Sequence, residues 1–249
     1  MSFKPPERYF FHAALVLCLL LAGQVRALDK SEGWTRVQSK NFLLIGNASE
    51  RDMRQVAARL EQFRETFLRL LPIGQLDASI PVTVMVFRDD ESYRPFEPLY
   101  QGQPAGVAGF FQSNQDVDYI TLSVDPKRVR NPFALAFHEY VHLLVRNSFR
   151  NAPLWFNEGL AEYYSTFEIS GGKRHVTLGK PVSNRVQALL KGELIPLEKL
   201  LSIDGTSEFY FEPNKRDIFY AESWALVHYL LSGVRRAQLA SYMKPGHKS

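Results

Sequence analysis

His138-Glu139-Tyr140-Val141-His142, followed by Trp155-Phe156-Asn157-Glu158-Gly159-Leu160-Ala161-Glu162-Tyr163, is the stretch on which the reading of this chain turns. On a helix, four residues at about 100° each bring His138 and His142 onto one face about one turn apart, so both imidazoles can reach a single metal ion. Glu139 stands beside that face, where a carboxylate can hold a water molecule and take its proton. The flanks agree with a helix: Asn131-Pro132 makes a start, and Phe133, Phe137, Val141 and Leu144 recur at spacings of four, four and three.

The pentad alone is only moderately specific in a chain with six histidines. A zinc ion held by two imidazoles needs a third protein ligand and an open fourth position. The pattern HExxHxxGxxH is excluded, because Val145 stands at the glycine position and Ser148 at the third histidine. Glu158 and Glu162, spaced i, i+4, share one face of a short helix that begins near Pro153. Two glutamates at this spacing are ordinarily a solvated face. Here they are embedded among Leu154, Trp155, Phe156, Leu160 and Tyr163, and acids in so apolar a segment require a counter-charge. One zinc ion would supply it, with Glu158 as the third ligand and Glu162 accepting the free N–H of a liganding histidine.

With these residues in place, HEYVH followed by PLWFNEGLAEYY resembles the gluzincins, and most of all the peptidase-MA-like family of exported bacterial proteins, with aminopeptidase N and thermolysin as more distant relatives. The resemblance implies that the glutamate of Asn157-Glu158-Gly159 is the third zinc ligand. The 16 positions from His142 to Glu158 are somewhat fewer than in those relatives, which implies a trimmed connection. Tyr220, leading Tyr220-Ala-Glu-Ser-Trp-Ala-Leu-Val-His-Tyr-Leu-Leu231, is similar to the tyrosine whose hydroxyl stabilises the oxyanion in aminopeptidase N relatives. Gly106-Val-Ala-Gly-Phe-Phe-Gln112 resembles the edge strand along which gluzincins lay an extended peptide, implying substrate contacts at Gly109, Phe110 and Phe111. Without the resemblance, Tyr220 reads as one of eleven amphipathic packing tyrosines and the strand as a glycine-containing strand beside a turn.

The expected activity is zinc-dependent peptide-bond hydrolysis, with one zinc per chain, Glu139 as general base and Tyr220 as oxyanion donor. Aminopeptidase N relatives carry an amine-gripping glutamate in the edge strand; no acid occurs between Gly102 and Asn114, which favours an endopeptidase over an aminopeptidase. A catalytically silent relative that keeps the metal site and binds peptide or envelope partners is the contrasting class. The intact Glu139 argues against it, because holding a metal does not require the general base.

Lys4 and Arg8 precede a largely apolar run from Tyr9 to Ala22, and Val25-Arg26-Ala27 places small residues where a signal peptidase would cut. Residues 1–27 therefore read as a signal peptide cleaved after Ala27, giving a periplasmic or secreted protein; the run is short for a membrane span. The single cysteine, Cys18, lies within this segment. Removing residues 1–27 lowers the net charge from +4 to +2, too little to argue for nucleic acid. The partner expected is a peptide or protein substrate, with the oligomeric state open.

The remaining pattern predicts an α+β, gluzincin-like fold: an N-terminal mixed-sheet lobe with helices packed on the HExxH helix, then a mainly helical C-terminal lobe. The predicted elements are a hairpin over 34–46, a long helix over 49–71 with Val56, Leu60, Phe63, Phe67 and Leu70 inward, strands over 80–87, 107–112 and 119–124, and a short hairpin within 166–178. The peptidase domain spans 28–243, and 244–249 reads as a tail. His175, His228 and Asp89-Asp90-Glu91 are taken as a solvated hairpin residue, a half-exposed helix residue and an acidic helix start.

Overall fold

Alternating apolar residues near the N-terminus build a mixed five-stranded sheet. In the computed structural model, which describes residues 33–70, 81–100, 102–113, 118–127, 129–149, 151–171, 175–191, 193–232, 235 and 239, β1 (Thr35–Gln38) and β2 (Phe42–Gly46) form the predicted hairpin. The signal peptide expected over 1–27 and the tail over 244–249 lie outside the described residues. The chain divides into Met1–Trp34 and Thr35–Ser249, and all elements below belong to the second unit. Among the described residues, no helix is long and apolar enough to cross a membrane.

From β2 the chain crosses through helix α1 (Glu50–Leu70) to the parallel strand β3 (Val82–Phe87), as a parallel pair requires. Strand β4 (Gly109–Ser113) then turns back antiparallel to β5 (Asp118–Ser123), and the sheet order is β1-β2-β3-β5-β4. The order leaves β4 at an edge. Leu44, Val84, Val86, Ile120 and Leu122 are fully buried. From α1, Val56, Leu60, Phe63 and Phe67 are buried as its periodicity predicts, Met53 joins them, and Leu70 is only half-buried in the last turn.

The HExxH helix, α2 (Pro132–Ser148), starts where the sequence puts it: the Asn131 side chain accepts from the backbone N–H of Phe133 and Ala134, and Pro132 occupies the first turn. Its single predicted stripe widens to Ala136, Phe137, Tyr140, Val141, Leu143, Leu144 and Val145, because α2 packs against α1, β4, β5 and the following helix, while Phe133 in the first turn is only half-buried. Phe63 stacks on Phe137 with centroids 4.7 Å apart, and Phe42 meets Tyr140 edge-on at 5.0 Å. Rings of this kind contribute roughly 1.5–3 kcal/mol each by burial. Arg64 donates to the Tyr140 hydroxyl at 2.7 Å, tying α1 to the middle of the pentad.

Helix α3 (Leu154–Ser165) carries the Asn-Glu-Gly segment, with Pro153 at its N-cap position. The hairpin Glu168–Ser170 and His175–Thr177 follows. Helices α4 (Ser183–Lys191), α5 (Leu197–Ser202), α6 (Glu208–Phe211) and α7 (Pro213–Leu231) complete the chain's described part. A satellite core of Ile195, Leu200, Ile203, Ile218 and Phe219 joins α5 to the first half of α7. The result is a mixed α/β protein with its five-stranded sheet N-terminal and most of its helices C-terminal.

Candidate metal centre

Helices α2 and α3 pack side by side, and their facing residues include the three expected ligands. Gly159 is what permits the approach of α3 to α7: a Cβ there would fall 2.4 Å from the Ser223 carbonyl oxygen and 2.6 Å from Val227 Cγ2. The glycine of the Asn-Glu-Gly segment is thus a packing residue that sets how α3 presents Glu158.

His138, His142 and Glu158 each offer a ligand atom, and these atoms lie within 4.8 Å of one another, a triad able to hold a metal ion. Glu158 Oε2 is 3.4 Å from His138 Nε2 and 3.6 Å from His142 Nε2. That oxygen is buried and makes no well-formed hydrogen bond. Among the described residues, a buried carboxylate oxygen that meets two imidazole nitrogens only at these longer distances fits a cation better than it fits a packed core. The donor set of two nitrogens and one oxygen, open on the cleft side, suits zinc.

The charges are tightly interdependent. Burial works against ionising Glu158, but the charge of His142, the hydrogen bond from His138 and one from Tyr210 outweigh it and hold the carboxyl below its usual range. Burial also disfavours a charged His138, yet its hydrogen bond to Glu158 and the charges of Glu139, Glu162 and Glu158 lift it to about 9. Once a metal displaces the proton of His138, the Glu158 and Glu139 carboxylates are left as negative charge for a divalent cation to neutralise. Glu139 sits beside the triad, and burial raises its carboxyl against the opposing pull of His138 and His142. The backbone N–H of Phe111 donates to it.

That last contact links the triad to the sheet. Ser123 N–H donates to Ala108 C=O, so the antiparallel alternation turns Gly109 and Phe111 away from β5 and toward the open edge. A cleft of about 600 Å³ runs over this edge and the triad, with Phe110, Phe149 and Phe211 among its apolar walls. A smaller depression of about 390 Å³ continues on the other side of His138 and Glu139. The three edge residues singled out from sequence all line the main cleft.

Tyr220 also lines both depressions, its ring 6.3 Å from that of His138. Burial raises its hydroxyl well above the usual tyrosine range, as do the charges of Glu158 and Tyr210. Tyr220 donates to Tyr210, which in turn donates to Glu158; the Glu158 charge raises Tyr210 and burial adds to it. Tyr210, on the four-residue helix α6, escaped the sequence reading because nothing in its local pattern marks it.

Glu162 lies 3.7 Å from His138 Nδ1, beyond hydrogen-bonding distance, and is gripped instead by Arg185, whose Nε and Nη2 donate to its two oxygens at 3.0 and 2.9 Å. Arg185 donates a third bond to Asp217 at 2.9 Å and places its guanidinium 5.1 Å from the centre of the Tyr220 ring. Sequence reasoning missed Arg185, which stands 23 positions from Glu162 on an unremarkable helix. It also left Asn157 without a role. The Asn157 Oδ1 lies 3.1 Å from His142 Nδ1, so a proton on that nitrogen turns Nε2 toward Glu158.

The family model DUF1570, described as a protein of unknown function, matches residues 133–249, a span that contains all the triad residues, Glu139, Glu162, Arg185, Tyr210 and Tyr220. No curated protein matches the chain.

Proposed function

We propose that this chain is an exported zinc metallopeptidase that hydrolyses internal peptide bonds. The observation that carries the reading is the convergence of His138, His142 and Glu158 within 4.8 Å, with Glu139 buried beside them and the free edge of β4 alongside. The likeness of HEYVH and PLWFNEGLAEYY to gluzincin motifs supports it.

The three ligands would hold zinc, which when bound acts as a Lewis acid and makes water nucleophilic near neutral pH. Glu139, raised by burial, takes the proton of the attacking water and delivers it to the leaving amine. The outward N–H and C=O of Gly109 and the C=O of Phe111 pair with an extended substrate as one more strand, while the Phe111 N–H stays on Glu139. Tyr220 donates to the carbonyl oxygen as charge develops on it, exchanging its bond to Tyr210 for one to the substrate. Glu162 and Asp217, the acids on the smaller depression beyond Glu139, are both paired to Arg185. That pairing leaves neither to grip a free α-amine and supports endopeptidase over aminopeptidase action.

The test combines metal analysis of the purified chain with a peptide-library digest, with and without chelator. About one zinc per chain and chelator-sensitive cleavage are expected, and Glu139→Gln should keep the zinc while losing turnover by about 10²–10⁴-fold. A chain that binds no metal and cleaves nothing refutes the reading; full activity in Glu139→Gln refutes the role of that residue.

A further inference from the structure

Arg216 stands on α7 four residues before Tyr220, so both face the cleft from one side of the helix. It is shared by the main cleft and the smaller depression, together with Gly109, His138, Glu139 and Tyr220. It therefore sits where the two meet, on the same walls as Gly109 of the edge strand and His138 of the triad. The other arginines on these walls have carboxylate partners. Arg146 is paired with Asp118, and Arg185 with Glu162 and Asp217. Arg216 is half-buried, and its guanidinium makes no hydrogen bond or ion pair with any described residue. Its charge nonetheless reaches the site, pulling the Tyr220 hydroxyl down against burial and the neighbouring negative charges.

A partly desolvated guanidinium without a counter-ion is costly, and a carboxylate is the planar acceptor that matches its fork. We infer that Arg216 is a specificity determinant that selects substrates presenting a carboxylate close to the scissile bond. The inference rests on the peptidase reading and deepens it. The carboxylate can be an acidic side chain or the C-terminus of a short peptide; the chemistry at Arg216 is the same.

Two arms separate these sources and also separate this inference from its premise. In the first, the zinc-loaded chain is given synthetic peptides in Glu/Gln pairs, with the acid walked across the three positions on either side of the cut, each with a free and an amidated C-terminus. The ratio of kcat/KM within each pair is the readout. Wild type should prefer the carboxylate by about ten- to a hundredfold, the worth of one charge-assisted contact. The ratio should fall to about one in Arg216→Gln, be partly kept in Arg216→Lys, and shift toward Lys-containing peptides in Arg216→Glu. A preference that follows Glu assigns the side chain, and one that follows the free C-terminus assigns the terminus. Cleavage with no carboxylate preference, or with a preference untouched in both Arg216→Gln and Arg216→Lys, overturns the inference and leaves the peptidase reading standing. In the second arm, fluorescein-labelled Ala-Ala-Glu-Ala-Ala and Ala-Ala-Gln-Ala-Ala are titrated with zinc-loaded Glu139→Gln chain by anisotropy, with and without Arg216→Gln. Selective binding of the Glu peptide that needs Arg216, in a protein whose wild type cleaves nothing, supports Arg216 as the carboxylate-binding residue and overturns the peptidase reading. The absence of both cleavage and selective binding overturns both.

Discussion

Zinc binding at this centre should be governed by a proton on His138. Without metal, the bond to Glu158 and the surrounding carboxylates overcome burial and hold this imidazole at about 9. A histidine must be neutral to ligate, so the metal has to displace that proton. At pH 7, some two units lower, only about one chain in a hundred has His138 neutral, and the apparent affinity lies about a hundredfold below its plateau. It should rise about tenfold per unit from pH 7 toward 9 and then level off. Glu158 adds no slope here because its carboxyl is held low and is already ionised. Calorimetry at pH 7 in buffers of different ionisation enthalpy should count about one proton released from His138 per zinc. Folding stability of the metal-free chain follows the same group. Raised from 6.5 to about 9, it contributes stability fully present below about pH 6.5 and lost as pH rises through 9, so the urea midpoint should fall across that window. Equal affinities at pH 7 and 8.5, with no proton released, would refute the electrostatic account of the site.

The other predictions probe what surrounds the triad. Gly159→Ala forces a methyl into the Ser223 carbonyl and Val227, and overpacking of this kind should cost about 1–3 kcal/mol in urea denaturation; a change within a few tenths would show that α3 and α7 can part freely. Tyr210→Phe removes a donor to Glu158 and should weaken zinc binding roughly tenfold, whereas Tyr220→Phe should retain zinc and lower kcat by about 10²–10³-fold. Equal loss of zinc in both variants would contradict this division of roles. Arg185→Met leaves Glu162 buried without its partner and should destabilise the chain by about 3–5 kcal/mol, with Glu162→Gln in the same chain restoring part of the loss. An additive double mutant would mean that the pair is not coupled.

What could be read from the sequence was what helical spacing alone determines. His138 and His142 share a face by their separation, and Glu158 was singled out because a carboxylate in so apolar a segment needs a cation. Both arguments survive in the geometry, since neither depends on how distant segments pack. The strand and helix positions were legible for a related reason: alternation in β2 and β3 and the four-residue spacing in α1 are local patterns, displaced by at most about two residues at strand ends such as that of β4. The stripe on α2 was read too narrowly, because a helix covered on several sides buries residues that a one-sided pattern leaves out.

The residues that escaped share the opposite property. Arg185 and Tyr210 acquire their places only when α4 and α6 are folded against α3 and α7, and each lies on a segment whose own pattern is unexceptional. The expectation that Glu162 serves His138 shows the consequence. The i, i+4 spacing correctly puts it on the face of Glu158, and at 3.7 Å it does adjoin the imidazole. The strong partner is nevertheless Arg185, with two charge-assisted bonds that no local rule indicates. Glu162 is thereby fixed from behind, and it acts on His138 through its charge without swinging toward a substrate amine. The Arg185 link continues to the ring of Tyr220, while the Tyr220 hydroxyl reaches Glu158 through Tyr210. His138, Glu158 and Tyr220 are therefore linked, through charge contacts and hydrogen bonds with Glu162, Arg185 and Tyr210, across α2, α3, α4, α6 and α7. Such a set of contacts resists rearrangement when the charge of the site changes, and that resistance is what the proposed hydrolytic role would require.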